Sequence, residues 1–493
     1  MAATIALPST LVAESGSGTR LRLWPEWLTL CLYAAIVAYA IPFHEPWADE
    51  AQAWQMARAL SVHDLFFHAL RYEGSPGLWH LLLHGLIRLH VSYTAMHWLT
   101  GLVAVCGMSL FIFFAPFPRW FRLILPFSVF FAFQYAVVAR SYVLAPLLAF
   151  AAAIFWKRNA VLLAIMLGLL ANTSLHGFAL AAALGIVYFV ETRRGLHEPN
   201  YPRIALLILV AFLAFALLTA LPTPPDLTFD DEVLRKPLGE HLAASPFLAF
   251  AFLLRAFAHP WQLALPLVLA TLWLAYRIGG KLYLLPLLSV AMLSGLGYWN
   301  YWHLGFASLA LITTAWIAWR PLQRTWNWPV ISIVAIWLAL QIGSSVFAFV
   351  WDHAYAYSPD KAAAKYLTHF VDNGLPIALT VANKSEVGAF HSVGLGPYFD
   401  HPIFINQQRL YWVWTTHEHT QEQLNAALDQ NPAAIVAMFY RHDNHRFDRS
   451  RDLDIRRLHP LYERGYGVTQ VFCGEKPEDF GLREEICEIV LER

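Results

Sequence analysis

An all-α polytopic membrane bundle followed by a small α/β soluble domain is the fold class this sequence predicts, and three observations predict it. The 493 residues are 58% hydrophobic and only 14% charged, where a soluble domain carries roughly a quarter charged residues. The charge is unevenly placed: 34 charged residues lie in the first 351 positions and 34 in the last 142, so only the second part approaches the soluble density. The first part is divided into about a dozen apolar runs, several below the ~20 residues of a perpendicular membrane helix.

This composition excludes an ordinary cytosolic enzyme. Lys+Arg and Asp+Glu balance at 34 each, so the bulk charge points to no nucleic acid and no anionic lipid surface. Four cysteines are too few for a disulfide scaffold or a zinc ribbon. Cys31 and Cys106 sit in apolar runs as core residues, whereas Cys473 and Cys487 share the polar tail and can pair if that tail is exported.

The elements follow in order. Residues 1–25 read as a cytoplasmic segment, because Arg20 and Arg22 precede the first apolar run, 26–43, and no small-residue cleavage site follows it. That run is a retained helix, and 44–76 becomes an outer loop. Further apolar runs lie near 77–91, 96–115, 122–137, 140–156, 160–172, 176–191, 203–221, 261–277, 282–297, 303–319 and 328–350. Their shortness suggests broken helices. The clusters Lys157-Arg158, Arg193-Arg194 with Arg203, Arg277 with Lys281, and Arg320 with Arg324 read as cytoplasmic. The tail 352–493 then falls outside, together with Asn172–Gly177, the acidic loop 222–245 holding Asp226, Asp230, Asp231 and Glu232, and Tyr298–His303. Twelve complete crossings would put the tail inside, and Arg119 and Arg122 also look cytoplasmic where strict alternation would not put them. One run between 77 and 156 is therefore expected not to cross, leaving about 11–13 spans for residues 26–351. In the tail, AAAKYLTHF and QEQLNAALDQ read as helices, and PIALTV and AAIVAMF as strands, an α/β alternation with no phosphate loop or metal spacing. A lid or acceptor-binding role is expected of it.

The outer loop carries the richest chemistry. If ADEAQAWQMARAL is helical, Asp49 aligns with Ala53, Met56, Ala57 and Leu60 on the apolar stripe and turns inward, while Glu50, about 100° around the helix, is the more exposed. The alternative for Asp49 is a carboxylate favoured in a first helical turn. Arg71, Tyr72 and Glu73 precede a Gly-Ser-Pro-Gly break, which leaves backbone groups free at a membrane surface and sets side chains over a cavity. His44, His63, His68, Trp47, Trp54 and Trp79 read mainly as an interfacial belt. Arg140, in QYAVVARSYVLAPLL, has apolar residues on both sides; an ionisable group there faces a wet interior and an arginine suits phosphate, unless it snorkels. His176 at Asn-Thr-Ser-Leu-His-Gly and His303 in YWNYWHLGF can donate to phosphate or sugar, or can be structural.

As an ordered set, the loop with Asp49-Glu50, RYEGSPGLWHLLL, ARSYVLAPLL and NTSLHG resembles the GT-C superfamily of polytopic glycosyltransferases. That superfamily includes protein O-mannosyltransferases and the aminoarabinose transferases of lipid A, and the resemblance is closest to uncharacterised bacterial members. It covers about residues 20–350. It implies an enzyme of the bacterial inner membrane that transfers a sugar, with inversion, from a polyprenyl-phosphate donor to a lipid, glycan or protein acceptor on the outer face. In that reading Asp49 is catalytic with Glu50 its neighbour, and Arg140, Tyr142, His176, Arg71, Tyr72, Glu73 and His303 bind donor phosphate or sugar. A divalent cation is possible, since some members use one. Ser75 stands where His is frequent in the family and Gly77 where a second Pro is usual. The competing classes are a transporter or lipid flippase, for which buried mid-membrane charge and internal repeats are expected, and a non-catalytic envelope scaffold.

Overall fold

The computed structural model describes residues 23–493 except 222–223, 228–237, 259–260, 298, 382–389, 408, 415–420, 444–457 and 480–481. Nearly all of the segment 1–25, and Asp230, Asp231 and Glu232, lie outside the described residues. Among the described residues four helices are long and apolar enough to cross a membrane: Ala95–Phe114, Leu175–Arg193, Pro202–Ala220 and Trp328–Ala354. A fifth arises if Leu242–Phe257 and Trp261–Leu274, bent by 103°, form one span. This is compatible with a multi-pass membrane protein, although most of the dozen runs form shorter helices. Run 122–137 forms no single helix but splits into Arg119–Ile124, a 3-10 turn Leu125–Phe127 and a π turn Phe130–Gln134. Pro118 and Pro126 punctuate it, since proline cannot donate to a helical ladder.

Contacts show which elements share an end of the bundle. Arg119 and Arg122 both pair with Glu26 at the start of helix Trp24–Ala40, at 2.6 and 3.3 Å. They therefore sit at the end of the bundle where that helix begins. At the opposite end, His97 near the start of Ala95–Phe114 reaches Glu50, and Trp79 and His80 near the start of Leu78–Arg88 line a cavity beside Asp49. Run 77–91 thus leaves from and returns to the same end of the bundle. Asp352, near the C-terminal end of Trp328–Ala354, meets His44 at this end too.

The C-terminal domain forms as the pattern predicts. The helices are Asp360–Asp372 and Gln421–Gln430, and the four-stranded sheet runs β1 (Ile377–Val381), β2 (Ile435–Asp443), β4 (Leu482–Glu492), β3 (Gly467–Asp479). β1 and β2 are parallel; β4 pairs antiparallel with β2 and β3. Val436, Met438, Ile489 and Leu491 pack in one core beneath Leu424 and Leu428, while Ile377, Leu379, Ala437 and Val490 pack in another against Leu367 and Phe370. Alternate residues feed the two faces because successive strand side chains point to opposite sides. Cys473 and Cys487 are directly opposite in the β3–β4 ladder and form a disulfide.

This domain sits on the outer-loop helix Ala48–Ala59. Alanines at 48, 51, 53, 57 and 59 leave that helix slim, so neighbours approach from both sides. Segment His391–Tyr398 packs so close that a Cβ at Gly396 would collide with Gln55. Arg58 donates to the carbonyls of Phe399 at 3.0 and 3.1 Å and of Gly396 at 3.4 Å.

Candidate functional site

Helix Ala48–Ala59 starts at Trp47, whose backbone N–H donates to the Glu50 carboxylate at 3.1 Å, one half of a capping box. Glu50 is wholly buried, whereas the Asp49 side chain retains 19% exposure. This reverses the expected order. A periodicity of this kind implies one wet face, but the helix is covered on both sides and residue 50 lies on its more enclosed side.

Glu50 accepts from His97 Nε2 at 3.0 Å, His44 Nε2 at 3.3 Å and the Ala139 N–H at 2.5 Å, besides Trp47. Ala139 is free to donate because the chain from Tyr135 to Arg140 is non-helical, and a backbone N–H outside a helix must find another acceptor when buried. His44 Nδ1 is 3.0 Å from Asp352. Burial opposes the charge of His44, yet the Asp352 and Glu50 carboxylates outweigh it and raise its pKa to about 10. Burial likewise works against ionising Glu50, and His44 and then His97 overcome it, holding Glu50 well below the carboxylate range. The expected interfacial belt is therefore not one environment: His63 and His68 are exposed, while His44, Trp47 and Trp79 are buried around the site.

Asp49 points the other way, into a cavity that it shares with Gln52, Glu73, Trp79, Arg140 and Tyr142. It forms an ion pair with Arg140, 91 positions away. Three aromatic rings frame the guanidinium, with centroids 4.6 Å (Trp302), 5.1 Å (Tyr142) and 5.5 Å (Trp47) from its central carbon. Each such contact contributes roughly 0.5–2 kcal/mol, depending on desolvation. Arg140 does not snorkel away; it is held over the cavity.

Behind Arg140, the Tyr142 hydroxyl lies 2.8 Å from His303 Nε2, while His303 Nδ1 accepts the Asn300 N–H at 2.9 Å. That second bond leaves the proton on Nε2, so His303 donates to Tyr142. His176 stacks on His303 with centroids 4.3 Å apart and bonds Ser294 at 3.0 Å. Of Asp49, Glu50, Arg140 and His176, which chemistry would bring to one cavity, Asp49 and Arg140 share its lining, whereas Glu50 turns away from it and His176 lies with His303 beneath Tyr142.

Glu73 lines the cavity, and Gln52 Nε2 donates to it at 2.7 Å. Burial raises Glu73 to a pKa of about 7, helped by Asp49 and opposed by the Gln52 bond and Arg140. Its neighbours in sequence diverge: Tyr72 donates to Asp226 at 3.0 Å, and Arg71 is half-buried away from the cavity lining. Gly74 follows with φ +57°, the left-handed conformation that lets the chain turn immediately behind Glu73.

Sequence reasoning did not find Gln52, His97, Trp302, Asp352 or Trp412 as site residues. Gln52 also donates to the Trp412 carbonyl at 2.9 Å and accepts the Trp412 N–H at 2.8 Å, so the C-terminal domain reaches the cavity through it. Its place one turn beyond Asp49 is a signal for the same helix face; Asp352, an acid closing the last apolar run, is another. A larger chamber lies toward the opposite end of the bundle between Phe117, Phe257 and Trp337, and its lining is almost wholly apolar. Neither a protein-family model nor a curated protein nor a solved structure matches the chain.

Proposed function

We propose that this chain is a membrane glycosyltransferase that moves a sugar from a polyprenyl-phosphate donor to a lipid, glycan or protein acceptor at the outer membrane face, with inversion. One observation carries the reading: Asp49 and Arg140, from distant segments, meet in a single cavity at one end of an apolar helical bundle. A polyprenyl phosphate is already a good leaving group. Transfer needs a carboxylate to orient and deprotonate the acceptor hydroxyl, and a fixed cation for the phosphate that departs.

Asp49 takes the acceptor proton as the acceptor oxygen bonds to the anomeric carbon, and the carbon–oxygen bond to phosphate breaks with its electron pair leaving on phosphate. Arg140 holds that phosphate. Its fork offers two parallel donors, and the three rings around it restrict its motion. Without donor, the two groups neutralise each other. An arriving phosphate competes for Arg140 and releases Asp49, which ties base activation to donor binding. Glu73, opposite Gln52, supplies a polar group for sugar hydroxyls and a link to the C-terminal domain. The basic clusters of the sequence support an outward site, and the Cys473–Cys487 disulfide is consistent with an oxidising compartment for the tail.

The test is transfer by purified, reconstituted protein from a panel of polyprenyl-phosphate sugars. Wild type transfers or hydrolyses one donor, and Asp49→Asn folds but does not. Undiminished turnover by Asp49→Asn overturns the mechanism, and donor translocation without transfer by wild type favours a flippase.

A further inference from the structure

The geometry points to a structural transition-metal site, distinct from the cavity, in which His44 Nε2, His97 Nε2 and the Glu50 carboxylate ligate one Zn²⁺-like ion. It lies on the opposite side of the outer-loop helix from Asp49, and it does not depend on the transferase reading.

The donor atoms are placed as a metal requires. One donor atom from each of the three residues lies within 4.8 Å of the others, and all three are buried. Glu50 Oε2 stands 3.3 Å from His44 Nε2 and Glu50 Oε1 3.0 Å from His97 Nε2. Around a tetrahedral Zn²⁺ with bonds of ~2.0–2.1 Å, neighbouring ligand atoms are ~3.3 Å apart. Each imidazole–carboxylate edge is near that figure, and the 4.8 Å bound on the whole set leaves the three side chains to draw together around the ion. Two imidazoles and one carboxylate are a borderline-soft set that suits zinc and disfavours calcium or magnesium.

The surroundings fit as well. Asp352 bonds His44 Nδ1 at 3.0 Å, the carboxylate–histidine arrangement that orients a metal-bound imidazole and fixes which nitrogen faces the ion. Nearby, the buried Tyr93 hydroxyl has no hydrogen-bond partner although it lies within electrostatic reach of Glu50. An unpaired buried hydroxyl costs about 1–3 kcal/mol, and bonding to the fourth ligand of an ion at Glu50 would remove that penalty. The ligands come from the loop after Trp24–Ala40, from helix Ala48–Ala59 and from helix Ala95–Phe114, and Asp352 adds the end of Trp328–Ala354. One ion would thus tie four segments together and hold the helix that carries Asp49 at a fixed angle to Arg140. The ligands' own hydrogen bonds would be replaced by shorter metal–ligand bonds, with the Ala139 and Trp47 amides still pairing Glu50.

The full chain, purified in detergent without chelator, should carry one zinc per molecule by elemental analysis. A chelator should remove it and lower the thermal midpoint, and micromolar Zn²⁺, but not Ca²⁺ or Mg²⁺, should restore it. Asp352→Asn keeps all three ligands and should weaken zinc binding 10–100-fold. His97→Gln should abolish it, and Tyr93→Phe should weaken it while the fold is retained. The exposed group His63, Asp64 and His68 is a competing location: zinc lost from His63→Ala/His68→Ala and kept by His97→Gln overturns the assignment. No zinc in wild type even after equilibration with micromolar Zn²⁺ overturns it equally and means that protons alone hold the cluster. Metal content and melting are read without sugar transfer, so failure here is separable from failure of the transferase reading.

Discussion

Gln52 is the most direct link between the C-terminal domain and the cavity, and Gln52→Ala tests whether that link holds the domain closed. The substitution removes three hydrogen bonds: to Glu73 at 2.7 Å, to the Trp412 carbonyl at 2.9 Å, and from the Trp412 N–H at 2.8 Å. Only the two bonds to Trp412 cross to the C-terminal domain, so at a net ~1 kcal/mol each the closed state loses about 2 kcal/mol. Because 1.4 kcal/mol corresponds to about tenfold in an equilibrium, opening becomes roughly 30-fold more frequent. Hydrogen exchange of a peptide containing Trp412 reads this directly, since the Trp412 amide proton is one of those bonded. Exchange should accelerate by about that factor, while β2 and β4 amides keep their protection. Gln52→Glu is the control: it retains an acceptor for the Trp412 N–H, loses the amide donor, and sets a carboxylate against Glu73. It should fall between wild type and Gln52→Ala near pH 5 and open further at pH 8. Unchanged Trp412 exchange in Gln52→Ala refutes the clamp and leaves Arg58, bonded to Phe399 and Gly396, as the main tether.

Further expectations concern the cavity and the domain. Asp49→Asn should lower turnover by 10²-fold or more, the scale of a lost general base, in the reconstituted transfer assay. Arg140→Lys should also be impaired and should raise KM for donor, because lysine keeps the charge but loses the fork and much of the fit between Trp302, Tyr142 and Trp47. Glu73 has a folded pKa of about 7 against an ordinary 4.5. Its contribution to stability is therefore fully present below pH 4.5 and is lost as pH rises through 7, by up to about 3 kcal/mol. Glu73→Gln should melt like wild type near pH 4 and higher than wild type near pH 8; identical melting curves at pH 8 would contradict the burial argument. Reducing Cys473–Cys487, 14 positions apart, should destabilise the C-terminal domain by up to ~3 kcal/mol in the chain-entropy model. Chemical denaturation with and without reductant measures it.

Much of this molecule is legible in one dimension. The drop in charge density before residue 352, the apolar runs, and the helices Asp360–Asp372 and Gln421–Gln430 with the strands β1 and β2 of the tail follow from local composition and period, because burial in lipid or in a two-faced sheet selects residue types position by position, whereas β3 and β4 do not. The suspicion that Arg140 is held inside was also readable, since an arginine flanked by apolar residues has few places to put its charge. What only the tertiary structure decided is which partner each group finds. A helical wheel places Asp49 and Glu50 about 100° apart but does not say what covers each side, and here the C-terminal domain and the bundle enclose Glu50 while Asp49 opens on the cavity. His44 meets Asp352 across 308 positions, and Gln52 meets Trp412 across 360. Such pairs leave no periodic trace. Their residues are chosen by hydrogen-bond satisfaction in a dry junction, and that requirement exists only once the distant segments have been brought together.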